Sequence, residues 1–118
     1  MPNEIQLLSH VFRALGDPTR RAVVLQLCNG PASVSELAKT HDMALPSFVQ
    51  HLQVLEDCGL IRSHKEGRVR TCEVVPEHLA PAEQWLVQAR AYWEDRMDAL
   101  VAHIEADTGR SSKGDEDE

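Results

Sequence analysis

The apolar positions of this chain change period twice along its length. In "EIQLLSHVFRALG", Ile5, Leu8, Phe12 and Leu15 fall on one stripe with Val11 beside it, the spacing of an amphipathic helix ended by Gly16. "DPTRRAVVLQLCNG" predicts a second helix: Asp17 is a good N-cap, Pro18 suits the first helical position, and Gly30 closes the segment. "SVSELAKTH" sets Ser33 and Glu36 in capping-box register, with Val34, Leu37 and Ala38 turned inward. A short "HDMA" connection leads into "LPSFVQHLQVLEDCGLI". There Phe48, Leu52 and Leu55 line one face, Pro46 occupies the first turn, and Gly59 stops the helix.

After Gly59 the period drops to two. "LIRSHKEGRVRTCEVV" alternates, is rich in β-branched residues, and offers Glu66-Gly67 as a hairpin turn. The helical period then returns over "PEHLAPAEQWLVQARAYWEDRMDALVAHIEAD". Its stripe is Trp85, Ala89, Trp93, Leu100 and Ile104, with Leu86, Tyr92 and Met97 alongside. "TGRSSKGDEDE" is Gly/Ser-rich and acidic and predicts a disordered tail.

The expected fold class is mainly α with a small β-hairpin: a winged helix-turn-helix over residues 1–107, then an acidic tail over 108–118. The first and last helices carry more apolar stripe than so small a core can cover. A homodimer burying Ile5, Leu8, Phe12, Trp85, Ala89, Trp93, Leu100 and Ile104 answers that, with the two indoles as anchors.

Composition narrows the reading. With 118 residues the chain is expected to hold one domain, and aromatics at only 4% require an aliphatic core. No apolar run of about 18 residues occurs and the first ten residues lack a basic segment followed by an apolar one, so a cytoplasmic protein with no membrane partner is expected. Three widely spaced cysteines, Cys28, Cys58 and Cys72, argue against a disulfide framework. All three read as packed small hydrophobes; for Cys72, which alternates with Arg68 and Arg70, the alternative is an exposed, oxidisable thiol. No Gly-rich phosphate loop, HExxH, GxSxG or paired catalytic carboxylate appears, so neither an enzyme nor a cofactor is expected.

The net charge of −7 looks wrong for a nucleic-acid binder until it is located. Residues 16–75 balance seven acids with seven Lys/Arg, while residues 76–107 carry seven acids against two Arg. The acidity therefore lies in the C-terminal third. In the middle, the polar face of the helix from Leu45 carries Pro46, Ser47, Gln50, His51 and Gln53, short or amide side chains in place of a solvated Lys/Glu surface. Gln matches adenine N6/N7 in a major groove, and Ser donates or accepts at several bases. Val49 either touches a thymine methyl or turns into the core. The hairpin adds Arg62, Lys65, Arg68 and Arg70 against Glu66. Lys65, Arg68 and Arg70 are the candidate phosphate or minor-groove contacts.

In order and spacing, "LGDPTRRAVVLQL", "SVSELA", "LPSFVQHLQVLEDCGLI" and "KEGRVRT" resemble the ArsR-type (ArsR/SmtB) winged-helix transcription regulators of bacteria, from about Phe12 to Trp93. The resemblance implies a homodimeric repressor of double-stranded operator DNA, with helix 45–58 as recognition helix, hairpin 62–72 as wing and the terminal helices as dimer interface. The chain departs from the family pattern at two points on that helix. Members commonly carry Ser where Val49 stands and Lys or Arg where Gln50 stands, so one phosphate-facing cation is missing. The family's thiolate metal motif, Cys-x-Cys ahead of an acidic residue and Leu, corresponds here to Ser33 and Ser35 ahead of Glu36-Leu37, and serine is a poor ligand for soft metals. The family's second metal site needs paired His and carboxylates, whereas the last helix has only His103 with Asp98, Glu105 and Asp107 near it. No metal site is therefore expected. The rival readings are a winged helix used only for protein–protein contact and a thiol-based redox regulator; the effector is left open.

Overall fold

The computed structural model describes residues 4–116, with side chains placed for residues 6–108. The chain divides into two compact units, Met1–Ala82 and Glu83–Glu118.

The first unit begins with α1 (Glu4–Leu15) and α2 (Pro18–Leu27). Asp17 caps α2 by accepting from the Arg20 backbone N–H at 3.1 Å. A two-residue strand β1 (Ala32–Ser33) precedes α3 (Val34–Ala38), whose capping box is complete: Ser33 Oγ accepts from the Glu36 N–H, and Glu36 Oε1 accepts from the Ser33 N–H. Next come α4 (Leu45–Asp57), β2 (Ile61–Glu66), β3 (Val69–Val74) and a 3-10 turn at Pro76–Leu79. The last helix, α5, runs Ala80–Glu116. The sequence pattern joins the 3-10 turn to α5, and it expects a tail from residue 108 where the backbone is helical to Glu116; the side chains of 109–118 lie outside the described residues.

The sheet has three antiparallel strands in the order β1-β3-β2, one more than the expected hairpin. Ala32 and Ser33 pair with Cys72 and Thr71, so the edge of the wing is stitched to the entry of α3. The hairpin turn is Gly67-Arg68, closed by the Glu66–Val69 pair, and not Glu66-Gly67. Gly67 takes a left-handed φ of 62°, which suits a two-residue hairpin. The register then puts Ile61, Ser63 and Lys65 on one sheet face with Val74, Cys72 and Arg70, each directly opposite its partner.

Among the described residues, the core is aliphatic around one buried aromatic ring, Phe48. Phe48, Leu52 and Leu55 from α4 meet Val23, Val24 and Leu27 from α2, Leu37 from α3, and Ile61 and Cys72 from the sheet. Cys72 is only 1% exposed, as expected of a packed small hydrophobe and against the alternative of an accessible thiol: the strand face it shares with Arg70 is the inward face at the base of the wing. Cys28 corrects its reading as a packed residue. It is exposed, because α2 buries Val23, Val24 and Leu27 and leaves Leu25 and the C-cap position outside. Gly59 ends α4 with φ 82°, and a Cβ there would lie 2.6 Å from His78 Nδ1, so no larger residue fits this stop.

Candidate nucleic-acid interface

Two networks aim α4. In the first, Gln26 of α2 donates through Nε2 to Thr40 Oγ1 at 2.7 Å, its Oε1 lies 3.0 Å from His41 Nε2, and the His41 ring stacks on Phe48 with centroids 5.1 Å apart. The turn between α3 and α4 is thereby pinned to α2. In the second, Arg20 ties three elements together. Its Nε donates to the Ala14 carbonyl at 2.7 Å and its Nη2 to the Arg13 carbonyl, closing the end of α1, while its Nη1 lies 3.1 Å from His51 Nδ1 on α4. Arg21 donates to the Leu15 carbonyl. A guanidinium only donates, so in this contact His51 Nδ1 is the acceptor. Asp17 Oδ2 stands 3.7 Å from the same ring. The Arg20 backbone N–H, more than any neighbouring charge, holds the Asp17 carboxyl below the usual carboxylate range.

Of the α4 candidates, Pro46, Ser47, Val49, Gln50 and Gln53 are exposed. His51 is half-buried and engaged through Nδ1. Val49 is 44% exposed, so it is not a core residue. Gln53 donates one amide N–H to Asp57 Oδ1 at 2.7 Å, which leaves its second N–H and its carbonyl oxygen for other partners. The N-cap residue Ala44 makes no side-chain bond, and the first turn of α4 holds no acid. The positive end of that helix is therefore uncovered.

Beside α4 stands the wing. Arg62 donates to Glu73 at 2.6 Å, so it is neutralised at the base of the hairpin. Lys65 and Arg70 are exposed register partners, and Arg68 is exposed in the turn at the tip. Between wing and helix lies a cleft of about 260 Å³ lined by Val49, Gln53, Glu56, Ser63 and Arg70. A relay crosses its end: Arg70 Nη1 donates to Ser63 Oγ at 2.9 Å, and Ser63 Oγ donates to Glu56 Oε1 at 2.8 Å. Glu56 and Ser63 were not singled out by the sequence reading. Only the cross-strand register could have found them, because they are 7 residues apart in the chain and their roles depend on which strand face Ser63 takes.

Of the thiols, Cys72 lies in the lining of this cleft but is buried. Burial pushes the Cys58 and Cys72 thiols up, which disfavours the thiolate, and Cys58 Sγ donates to the Leu55 carbonyl. Of the dimer candidates, Leu8 and Phe12 are half-buried against the core of the first unit, and the Ile5 side chain lies outside the described residues. In the second unit Ala89 is half-buried, whereas Trp85, Trp93, Leu100 and Ile104 are exposed, Trp93 at 63%. No described helix is long and apolar enough to cross a membrane.

The same architecture recurs among known proteins. Residues 17–63 match the model for "Bacterial regulatory protein, arsR family". The crystal structure of the ArsR family transcriptional regulator RHA00566 superposes with a TM-score of 0.73, is 53% identical, and covers 80% of this chain and 97% of its own. The chain belongs to the ArsR family. Another member-like relative is the transcriptional repressor SdpR of Bacillus subtilis (strain 168), 31% identical over 52% of this chain and 68% of its own. The HTH-type transcriptional regulator Rv2034 of Mycobacterium tuberculosis (strain ATCC 25618 / H37Rv) is 39% identical over 58% of this chain, an alignment that spans 64% of Rv2034. Within this family of transcriptional regulators, the α3–α4 pair is the helix-turn-helix and the β2–β3 hairpin is the wing.

Proposed function

We propose that this chain is a homodimeric transcriptional repressor that binds double-stranded operator DNA, with α4 in the major groove and the wing on the backbone or minor groove. The observation that carries the reading is the pairing of two unlike surfaces across one cleft. The face of α4 that presents Ser47, Val49 and Gln50 bears no charge, and the wing beside it presents Lys65, Arg68 and Arg70 without acidic partners among the described residues. Amide, hydroxyl and methyl groups read base edges, and cations hold phosphates. Repression is the activity named for SdpR.

Dimerisation is supported by the exposed Tyr92, Trp93, Leu100 and Ile104 of α5, more apolar surface than a lone helix leaves in water. A two-fold dimer presents two copies of α4, so its operator is a palindrome. Residues 1–107 carry this activity in the proposal, with 108–118 as an appended tail.

The test is titration of the purified chain with the DNA upstream of its own coding sequence over a series of salt concentrations. Nanomolar-range binding that weakens steeply with salt supports the reading; no binding to any duplex at low salt refutes it.

A further inference from the structure

Two cations face each other at the end of the wing. Lys65 and Arg70 are register partners across β2 and β3, so their side chains leave the same sheet face side by side. No carboxylate among the described residues is within ion-pair distance of either. Like charges directly opposite one another weaken a hairpin. The same hairpin avoids that arrangement at its base, where Arg62 has Glu73 as register partner and bonds to it. Among the described residues, Lys65 and Arg70 thus stand as an exposed cationic pair without a direct carboxylate partner, next to the hairpin turn.

Arg70 is also held in place. Its guanidinium donates to Ser63, which donates to Glu56 of α4, so the cation is anchored to the helix and not only to its own strand. This fixes it at the mouth of the cleft that Val49 and Gln53 line.

We infer that Lys65 and Arg70 together grip a single DNA phosphate, and that Glu56 and Ser63 set the position of that grip relative to α4. A phosphodiester has two free oxygens, one for the guanidinium and one for the ammonium, and it relieves the repulsion between them. Glu56 and Ser63 are positioning residues: they touch Arg70 or each other, not the DNA. The consequence is a fixed spacing between the base pairs under Gln50 and the phosphate under the wing. The inference rests on the DNA-binding reading above.

Salt dependence separates a shared phosphate from two separate ones. Binding is followed by fluorescence anisotropy with the upstream duplex and a scrambled duplex of equal length, and the slope of log affinity against log salt is expressed per protomer bound. Each phosphate neutralised contributes roughly 0.9 to that slope. With one shared phosphate, Lys65→Ala and Arg70→Ala each change the slope by less than half that amount, because the remaining cation still neutralises it. The double variant flattens the slope by about 0.9. If each single variant removes about 0.9 and the double about 1.8, the two cations hold separate phosphates and the inference is overturned. A double variant with the wild-type slope overturns it as well. Ser63→Ala is expected to weaken binding roughly three- to tenfold with the slope unchanged, and Ser63→Thr, which keeps the hydroxyl, to restore it. Wild-type affinity in Ser63→Ala removes the positioning role. Far-ultraviolet circular dichroism and a thermal melt of each variant confirm folding, and Lys65→Ala is expected to melt no lower than wild type. A wild-type chain that binds neither duplex at low salt contradicts the DNA reading itself, an outcome distinct from all of these.

Discussion

α4 and the wing face the same cleft, yet they are built on opposite terms. α4 is rooted in the core by Phe48, Leu52 and Leu55, and its open face holds hydroxyl, amide and aliphatic groups without a single Lys or Arg. The wing is rooted only at its base, by Ile61, Cys72 and Val74, and its tip holds Lys65, Arg68 and Arg70. Charge attracts any DNA and falls off with salt, whereas base-edge hydrogen bonds discriminate sequences and are nearly salt-independent. In the DNA-binding reading proposed above, the division assigns affinity to the wing and selectivity to the helix. It also accounts for a net acidic protein on this fold, since a few cations at a projecting tip act locally while the acids of residues 76–107 lie elsewhere in the chain.

Removing the root of α4 has the largest expected effect. Phe48→Ala leaves a cavity where the helix meets α2 and α3, and a loss of about 3–5 kcal/mol in urea unfolding is expected. The smaller root of the wing makes Val74→Ala milder, at about 1–3 kcal/mol by the same mechanism. Equal losses would erase the contrast in anchoring. Next comes selectivity: Gln50→Ala is expected to lose about 1–3 kcal/mol of discrimination between operator and scrambled duplex, read from the ratio of the two affinities.

The pH effect of Asp17 is smaller. Its carboxyl titrates lower when folded than when unfolded, so its stabilising contribution is present above the ordinary Asp range and is lost as pH falls through the lowered folded value. The stability gap between wild type and Asp17→Ala is therefore expected to be constant near neutrality and to shrink in acid. A gap that widens in acid would mean that the cap is not ionised. The last test concerns the thiols: Cys28 is expected to react rapidly with a thiol reagent in the folded chain, with Cys58 and Cys72 reacting only on unfolding.

The helices were legible in the sequence because their causes are local. Asp17-Pro18, Ser33 with Glu36, and the spacing of Phe48, Leu52 and Leu55 each act within a few residues, and each element formed where those signals stand. The sheet was legible only in outline. β1 is two residues long, and Ala32 and Ser33 are extended because Cys72 and Thr71 pair with them from 38 or more positions away. The turn moved by one residue because Gly67 is the position that adopts a left-handed φ, which sends Arg68 into the turn. Whether the face of Arg70 and Cys72 points outward is fixed by packing beneath the sheet and not by alternation. The site followed the same division. Ser47, Gln50, Lys65 and Arg68 were readable as exposed polar groups. The ties from Arg20 to His51 and from Arg70 through Ser63 to Glu56 depend on contacts between elements that no periodicity reports.

The division of labour is tested most directly by comparing Arg68→Ala with Gln50→Ala on the upstream and scrambled duplexes across one salt series. Arg68→Ala is expected to weaken both duplexes alike and to flatten the salt slope by about 0.9 per protomer. Gln50→Ala is expected to weaken only the upstream duplex, with the slope unchanged. If Arg68→Ala kept the wild-type slope, or Gln50→Ala weakened both duplexes equally, wing and helix would not divide affinity from selectivity.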